Sequence, residues 1–285
     1  MKLPILILAW NRPSYVSKLI NAIKIAKPEN IFIACDGADS NNEKEIELVN
    51  QTRYILDKEI DWPCNKNKLY SSYNQGCRFG VSRAINWFFE NVSEGIILED
   101  DCIPHPDFFK FSEILIDRYR NDKRIWTISG NNYENGNWRG DGSYFFSKYP
   151  HCWGWATWRD RWQFYAEEEF IWEKINNAKI LDNLFNTKKE LRYWRSVFNK
   201  LYQENKPDSW AYRWFLVCLA KGGLNVLPNQ NLVQNIGFDS SATNTKVGQS
   251  PIQLKYNNNE STGIFPLLEP SFIIRSNDAD NFTFH

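Results

Sequence analysis

The chain has 285 residues, of which 42% are hydrophobic, enough to build the core of one large α/β domain or two small ones. Lysine plus arginine and aspartate plus glutamate both total 34, so there is no basic excess of the kind that binds nucleic acid. No segment reaches the roughly 20 apolar residues of a membrane span. No cleavage site follows the apolar start and the cysteines lack metal-ligand spacing, so we expect a cytoplasmic protein with reduced thiols.

The first half of the chain alternates apolar runs with amphipathic helical patterns. Residues 3–9 form a continuous apolar run, which is typical of a strand buried on both faces. Asn11 and Pro13 suit the start of the next helix, whereas the polar residues 62–74 read as irregular. This alternation predicts an α/β fold with a mostly parallel sheet flanked by helices. The pattern predicts further strands over residues 31–34, 96–98 and 125–129, and helices over residues 44–57, 81–89 and 108–119.

The second half of the chain is richer in loops and aromatic residues. Residues 131–142 are rich in glycine and asparagine and are predicted to form a loop, and residues 249–285 show little periodicity. No linker separates two independent domains, so we expect both halves to share one domain. The pattern predicts strands over residues 144–147 and 224–227, and helices over residues 190–203 and 209–220.

Three consecutive carboxylates, Glu99, Asp100 and Asp101, come directly after the predicted strand over residues 96–98. Like charges this close raise one another's pKa, and a divalent cation removes that cost. Mg²⁺ and Mn²⁺ take one or two carboxylates together with waters and substrate phosphates. The triplet therefore predicts a metal and diphosphate site, although an acidic loop or a helix cap would also account for it.

Polar residues stand at the end of each of the first three predicted strands. Arg12 comes after the first, Asp36 after the second, and the acidic triplet after the third. Ligands of parallel sheets bind beyond the carboxyl ends of the strands, so these groups are expected to meet at one edge.

Two further places carry candidate residues. Asp208 precedes a predicted helix and fits either an N-cap or a general base that deprotonates an acceptor hydroxyl. The glycine-rich turn around Gly76 precedes another helix, whose N-terminal N–H groups suit a phosphate. Arg78 and Arg83 on that helix are candidate partners of a diphosphate.

Five motifs follow one another along the chain: Leu-Ile-Leu-Ala-Trp-Asn-Arg at 6–12, Ala-Cys-Asp-Gly at 34–37, Glu-Asp-Asp-Cys-Ile-Pro-His-Pro-Asp-Phe-Phe at 99–109, Trp-Gly-Trp-Ala-Thr-Trp at 153–158 and Asp-Ser-Trp-Ala-Tyr-Arg-Trp at 208–214. In this order they resemble the N-acetylglucosaminyltransferase I family and its bacterial relatives. The resemblance covers residues 3–240 and implies the GT-A fold with a UDP-sugar donor and Mn²⁺ or Mg²⁺.

The resemblance assigns donor-binding roles to the residues at the predicted sheet edge. It implies that Asp101 coordinates the metal and that Asp100 contacts the ribose or the water shell of the metal. It places Glu99 on a sugar hydroxyl, and Asp36 and Arg12 on the uracil. The family commonly has an acidic residue where this chain has an asparagine before Arg12.

The resemblance also assigns roles in the second half of the chain. It implies that Asp208 is the catalytic base and that Trp153, Gly154 and Trp155 line the pocket for the donor sugar or the acceptor. Bacterial relatives often carry a histidine where this chain has Asn244. Asp239 is a candidate substitute for that histidine at the metal.

These inferences predict an inverting, metal-dependent glycosyltransferase that builds a surface polysaccharide or glycoconjugate on a glycan or lipid-linked acceptor. Residues 1–130 would form the nucleotide-sugar-binding half of a GT-A domain, and residues 131–285 the acceptor-binding half. The basic and aromatic helix over residues 190–203 suits either a membrane surface, at the inner face of the membrane, or burial in the core. The alternatives are a sugar-phosphate nucleotidylyltransferase and a non-catalytic carbohydrate-binding protein on the same fold.

Overall fold

The computed structural model describes residues 1–238 and 260–285. The expectations for Asp239 and Asn244 fall outside these residues. The strands are β1 (Ile5–Ala9), β2 (Asn30–Cys35), β3 (Asn65–Tyr70), β4 (Glu94–Glu99), β5 (Cys102–Pro104), β6 (Ile125–Ser129), β7 (Tyr144–Ser147), β8 (Trp155–Trp158), β9 (Leu224–Pro228) and β10 (Val233–Asn235). The helices are α1 (Pro13–Lys24), α2 (Glu43–Lys58), α3 (Gly76–Asn91), α4 (Pro106–Tyr119), α5 (Arg159–Trp162), α6 (Glu168–Asn177), α7 (Lys188–Gln203), α8 (Trp210–Ala220) and α9 (Asn277–Phe284).

Eight of these strands form one sheet in the order β3-β2-β1-β4-β8-β6-β9-β7. All of them run in one direction except β7 and β8, which pair antiparallel with their neighbours. The predicted α/β architecture with a mostly parallel sheet flanked by helices is therefore confirmed. The sheet takes strands from both halves of the chain.

Strand β1 shows why the apolar runs became central strands. Successive side chains of a strand point to opposite faces, and both faces of this sheet are covered by helices. Ile5 and Ile7 pack in one hydrophobic core, with residues of α1, α2 and α4. Leu6 and Leu8 pack in the other, with residues of α3, α6, α7 and α8.

The second core explains much of the tryptophan content. Trp155, Trp162, Trp210 and Trp214 are at most 2% exposed. The ring of Trp155 stacks on that of Trp210 at 5.5 Å, and the Trp162 and Trp214 centroids lie 5.1 Å apart. Such contacts add to the large apolar area that each ring buries. Helix α7 also turns its apolar face to this core, so of the two roles considered for that helix the structure shows the buried one.

Two local predictions were wrong. Strand β3 lies in the segment expected to be irregular, and its exposed polar residues pair with β2 at the edge of the sheet. The N-cap of α1 is Arg12 rather than Asn11, and no side chain caps it. Helix α9 lies in the C-terminal stretch, for which the sequence pattern predicted no element.

The short strand β5 comes directly after the acidic triplet and pairs antiparallel with β10. This pairing brings the segment after β9 beside Asp101.

All six cysteines are free thiols. Within the described residues, no helix combines the length and the apolar character needed to cross a bilayer.

Replacing Trp155 tests the aromatic core. We expect Trp155→Ala to lower the free energy of unfolding by about 3 to 5 kcal/mol, because the substitution leaves a large cavity where the ring packed. Urea denaturation measures the change. Trp138→Ala, at a ring that is 48% exposed, is the control and should change stability by less than about 0.5 kcal/mol. Equal effects of the two substitutions would contradict the assignment of Trp155 to the core.

Candidate active site

A cleft of about 270 Å³ opens at the carboxyl ends of β1, β2 and β4. This is the edge at which the sequence predicted that polar groups converge, and the convergence is confirmed. Apolar side chains such as Leu8, Leu69 and Val81 also face the cleft. The candidate residues that line it are Arg12, Asp36, Arg83, Glu99, Asp100 and Asp208.

Arg12 is bound to the acidic triplet. Its Nη1 atom donates a hydrogen bond to Oδ2 of Asp101 at 2.9 Å and lies 3.2 Å from Oδ1 of Asp100. Burial would lower the pKa of Arg12, but the carboxylates of Asp100 and Asp101 outweigh it and raise that pKa. Arg12 is therefore a permanent counterion of the triplet, whereas the resemblance assigned it to the uracil.

One guanidinium does not balance three carboxylates. Burial, followed by the charges of Asp101 and Asp100, raises the pKa of Glu99. Burial also raises the pKa of Asp100, and the repulsion of Asp101 adds to this although Arg12 acts against it. With Arg12 as their counterion, the three carboxyls are therefore costly to ionise together, which is the condition that favours a divalent cation.

Asp101 lies beside the cleft, in contact with β10. Its Oδ1 atom accepts a hydrogen bond from the amide of Asn235 at 3.3 Å, and its carbonyl oxygen accepts one from the N–H of Ile236 at 2.8 Å. A side chain at Gly237 would collide with the carboxylate of Asp101. Asn235 and Gly237 were missed in the sequence because only the pairing of β5 with β10 brings them here.

The donor set fits Mn²⁺ or Mg²⁺ bound together with a diphosphate. Within residues 1–238 and 260–285, no three histidine, cysteine, aspartate or glutamate side chains are arranged to hold a metal ion by themselves. The triplet offers one or two hard oxygen ligands. Both cations commonly complete such a shell with water and substrate phosphates.

Asp36 holds the turn before α3. Its carboxylate accepts hydrogen bonds from the N–H of Gly37 at 2.8 Å and from the N–H of Gln75 at 3.0 and 3.1 Å. Burial raises the pKa of Asp36 although these backbone donors act against the rise. A Cβ at Gly80 would lie 3.1 Å from Oδ2 of Asp36, so glycine allows this close approach. Asp36 therefore shapes the cleft as well as lining it.

The backbone donors at the start of α3 are engaged by side chains of the chain itself. Asp36 binds the N–H of Gln75, and Oδ1 of Asn74 accepts from the N–H of Gly76 at 2.8 Å. Oδ1 of Asp208 accepts from the N–H of Arg78 at 3.3 Å. These three hydrogen bonds do not support the prediction that the N–H groups hold a phosphate.

Asp208 contacts the start of α3 and not the start of α8, the helix that follows it in the chain. The N-cap of α8 is Ser209, so Asp208 does not cap α8, as one of its two predicted roles required. Its carboxylate instead lies on the first turn of α3, where a Cβ at Gly76 would lie 2.9 Å from Oδ2. The structure thus places Asp208 in the same cleft as Asp36, Glu99 and Asp100.

The two candidate arginines of α3 lie in different environments. Arg83 is exposed and lines the cleft, which suits an anionic ligand. Arg78 donates hydrogen bonds to Glu168 at 3.0 Å, Glu169 at 2.7 Å and Asn205 at 3.1 Å. Arg78 is not among the residues that line the cleft, so the prediction of Arg78 as a diphosphate partner is not supported.

The residues of the segment from Trp153 to Trp155 lie in different surroundings. Trp153 is half-buried and makes edge contacts with Tyr133 at 5.3 Å and Phe238 at 5.4 Å. Gly154 has a φ of +66°, and a Cβ there would lie 2.7 Å from the Val233 side chain. Trp155 is fully buried in the aromatic core and has no surface for a ligand, so its prediction as a pocket residue is wrong.

A model of the GNT-I family matches residues 1–174, a segment that contains the acidic triplet and Trp153. No match was found among curated proteins.

Solved structures with a similar chain path include HddC from Yersinia pseudotuberculosis, with 11% identity, a TM-score of 0.34 and coverage of 55% of this chain and 77% of that chain. Another is a UDP-glucose pyrophosphorylase complexed with UDP-glucose, with 11% identity, a TM-score of 0.35 and coverage of 57% and 79%. These likenesses carry no argument about activity. Because the family model covers more than half of the sequence, the chain belongs to the GNT-I family.

Proposed function

We propose that the protein is a metal-dependent, inverting glycosyltransferase. It would move a sugar from a nucleotide diphosphate donor, with UDP favoured, to a hydroxyl of a glycan or lipid-linked acceptor. The observation that carries this proposal is the cleft that gathers the excess carboxylates Glu99 and Asp100 with Asp208 at the strand ends. Membership of the GNT-I family supports it.

The donor is proposed to lie along the cleft from Asp36 to the acidic triplet. The apolar walls formed by Leu8, Leu69 and Val81 suit a base, and the exposed guanidinium of Arg83 suits the diphosphate. Mn²⁺ or Mg²⁺ at Asp101 would neutralise the diphosphate and stabilise it as the leaving group. The segment after β1 lacks the glycine-rich phosphate loop of nucleotidylyltransferases, which favours sugar transfer over nucleotidyl transfer.

Asp208 is proposed to take the proton of the acceptor hydroxyl. The hydroxyl oxygen then bonds to the anomeric carbon while the bond from that carbon to the diphosphate oxygen breaks. One such displacement inverts the anomeric configuration. The hydrogen bond from the N–H of Arg78 orients the Asp208 carboxylate for this step.

Asp101→Ala tests the metal site. We expect the substitution to lower the turnover of UDP-sugar by at least about 10²-fold, because electrostatic stabilisation of the leaving diphosphate is lost, while the melting temperature stays close to wild type. UDP release measures turnover. Asp117→Ala, at an aspartate on α4 whose side chain is 76% exposed, is the matched control and should be fully active. Wild-type turnover by Asp101→Ala would contradict the assignment.

Asp208→Asn tests the base. The amide keeps the shape of the side chain but cannot take a proton, so we expect the rate of transfer to fall roughly 10²- to 10⁴-fold. The dissociation constant of UDP, measured by calorimetry, should not change. Weaker UDP binding with an unchanged rate of transfer from bound donor would show that Asp208 serves structure alone.

Metal binding is predicted to depend on pH. The raised pKa values of Glu99 and Asp100 mean that these carboxyls hold protons at a pH where ordinary carboxyls are ionised. A cation displaces those protons, so the affinity for Mn²⁺ with UDP should rise from about pH 6 to about pH 8. Calorimetry in buffers of different ionisation enthalpy measures the proton release. A pH-independent affinity without proton release would exclude this linkage.

A further inference from the structure

A group of charged and polar side chains that do not line the cleft lies at the start of the loop that carries Asp208. We call it the Arg78 cluster, and its members are Arg78, Glu168, Glu169, Asn205 and Arg213. Glu168 is 4% exposed and Arg213 is 1% exposed. Nη1 of Arg213 donates to both carboxylate oxygens of Glu168 at 2.8 and 2.9 Å, and Nη2 of Arg78 donates to one of them at 3.0 Å. Glu168 and Glu169 together supply two negative charges, which equal the two positive charges of Arg78 and Arg213.

Asn205 is shared by the two guanidiniums. Its Oδ1 atom accepts hydrogen bonds from Arg78 at 3.1 Å and from Arg213 at 3.2 Å. These arginines stand on α3 and on α8, and α8 begins where the loop ends. Asn205 has a φ of 52°, in the left-handed region that asparagine tolerates better than most residues. The amide therefore fixes the start of the loop between two helices.

Arg78 contacts the loop at a second point. Its guanidinium binds Asn205, while its backbone N–H binds the carboxylate of Asp208, three residues later. The loop ends at Trp210, which is 2% exposed and stacks on Trp155. Between Asn205 and Trp210 the chain is thus held at its start, at the carboxylate and at its end.

We propose that Asn205 is a positioning residue that sets the place of the Asp208 carboxylate in the cleft. This inference rests on the proposed role of Asp208 as the base. Asn205 is exposed and lies outside the hydrophobic cores. We therefore expect its hydrogen bonds to fix the position of the loop and to contribute little to the free energy of unfolding. A displacement of a catalytic group by about 1 Å costs roughly 10²-fold in rate.

Asn205→Gly removes the amide and keeps a residue that adopts a positive φ without strain. We expect a roughly 10- to 100-fold lower kcat for transfer, with an unchanged KM for the donor and an unchanged UDP affinity. Asn205→Asp keeps an oxygen between the two guanidiniums and should retain most of the wild-type kcat. Asn135→Gly, at an exposed asparagine with a φ of 51°, is the control for the substitution itself and should leave kcat unchanged.

A double-substitution cycle with Asp208→Asn separates positioning from general damage. If Asn205 acts through Asp208, Asn205→Gly lowers kcat in the wild-type background but has little further effect in Asp208→Asn. An equal fold loss in both backgrounds, or a wild-type kcat for Asn205→Gly, overturns the positioning role. Wild-type transfer by Asp208→Asn alone instead overturns the assignment of the base, whatever Asn205→Gly does.

Discussion

The cleft depends on the repulsion among three carboxylates at the end of one buried strand. Glu99, Asp100 and Asp101 are held close together by the backbone, and Arg12 is bound to two of them. Burial, to which the charges of the neighbouring carboxylates add, raises the pKa values of Glu99 and Asp100. In the proposed function, a divalent cation would relieve this repulsion, and a nucleotide diphosphate would supply the oxygens that complete the shell of that cation. The repulsion among the carboxylates, which destabilises the site without a ligand, would therefore favour the binding of a cation.

The order of the strands makes this arrangement possible. Strand β1 lies between β2 and β4, and Leu8 pairs in register with Glu99. Arg12 comes three residues after β1, so it reaches Asp101 although 89 positions separate them in the chain. The pairing of β5 with β10 then places Asn235 against the other side of Asp101. The contacts of Asp101 with Arg12 and Asn235 thus result from strand pairings rather than from a local motif.

The sequence predicted the parts of this site that depend on short-range patterns. The apolar runs before Arg12, Asp36 and the triplet identify buried strands, and parallel strands bring the residues at their carboxyl ends to one edge of the sheet. The role of Asn235 was not predictable, because it depends on a pairing between segments about 130 residues apart. Trp155 was misassigned because an aromatic motif has the same appearance in a sugar pocket and in a core.

The environment of Asp208 shows a different limit of sequence reasoning. A carboxylate before a helix is normally read as the cap of that helix. Here it contacts the first turn of α3 instead, because Asn205 is held by Arg78 of α3 and Arg213 of α8, and Trp210 stacks on Trp155 of β8. Likewise the polar strand β3 carries no apolar alternation, since its residues lie at the exposed edge of the sheet. Both features are set by tertiary contacts.

The most direct test of the account is the identity of the product released from the donor. The protein is incubated with UDP-, GDP- and dTDP-sugars in the presence of Mn²⁺ or of a chelator, and separately with nucleoside triphosphates and sugar 1-phosphates. A glycosyltransferase releases the nucleoside diphosphate from one of the nucleotide sugars, and the chelator abolishes this release. Pyrophosphate from a triphosphate and a sugar 1-phosphate, with no diphosphate from any nucleotide sugar, would contradict the account.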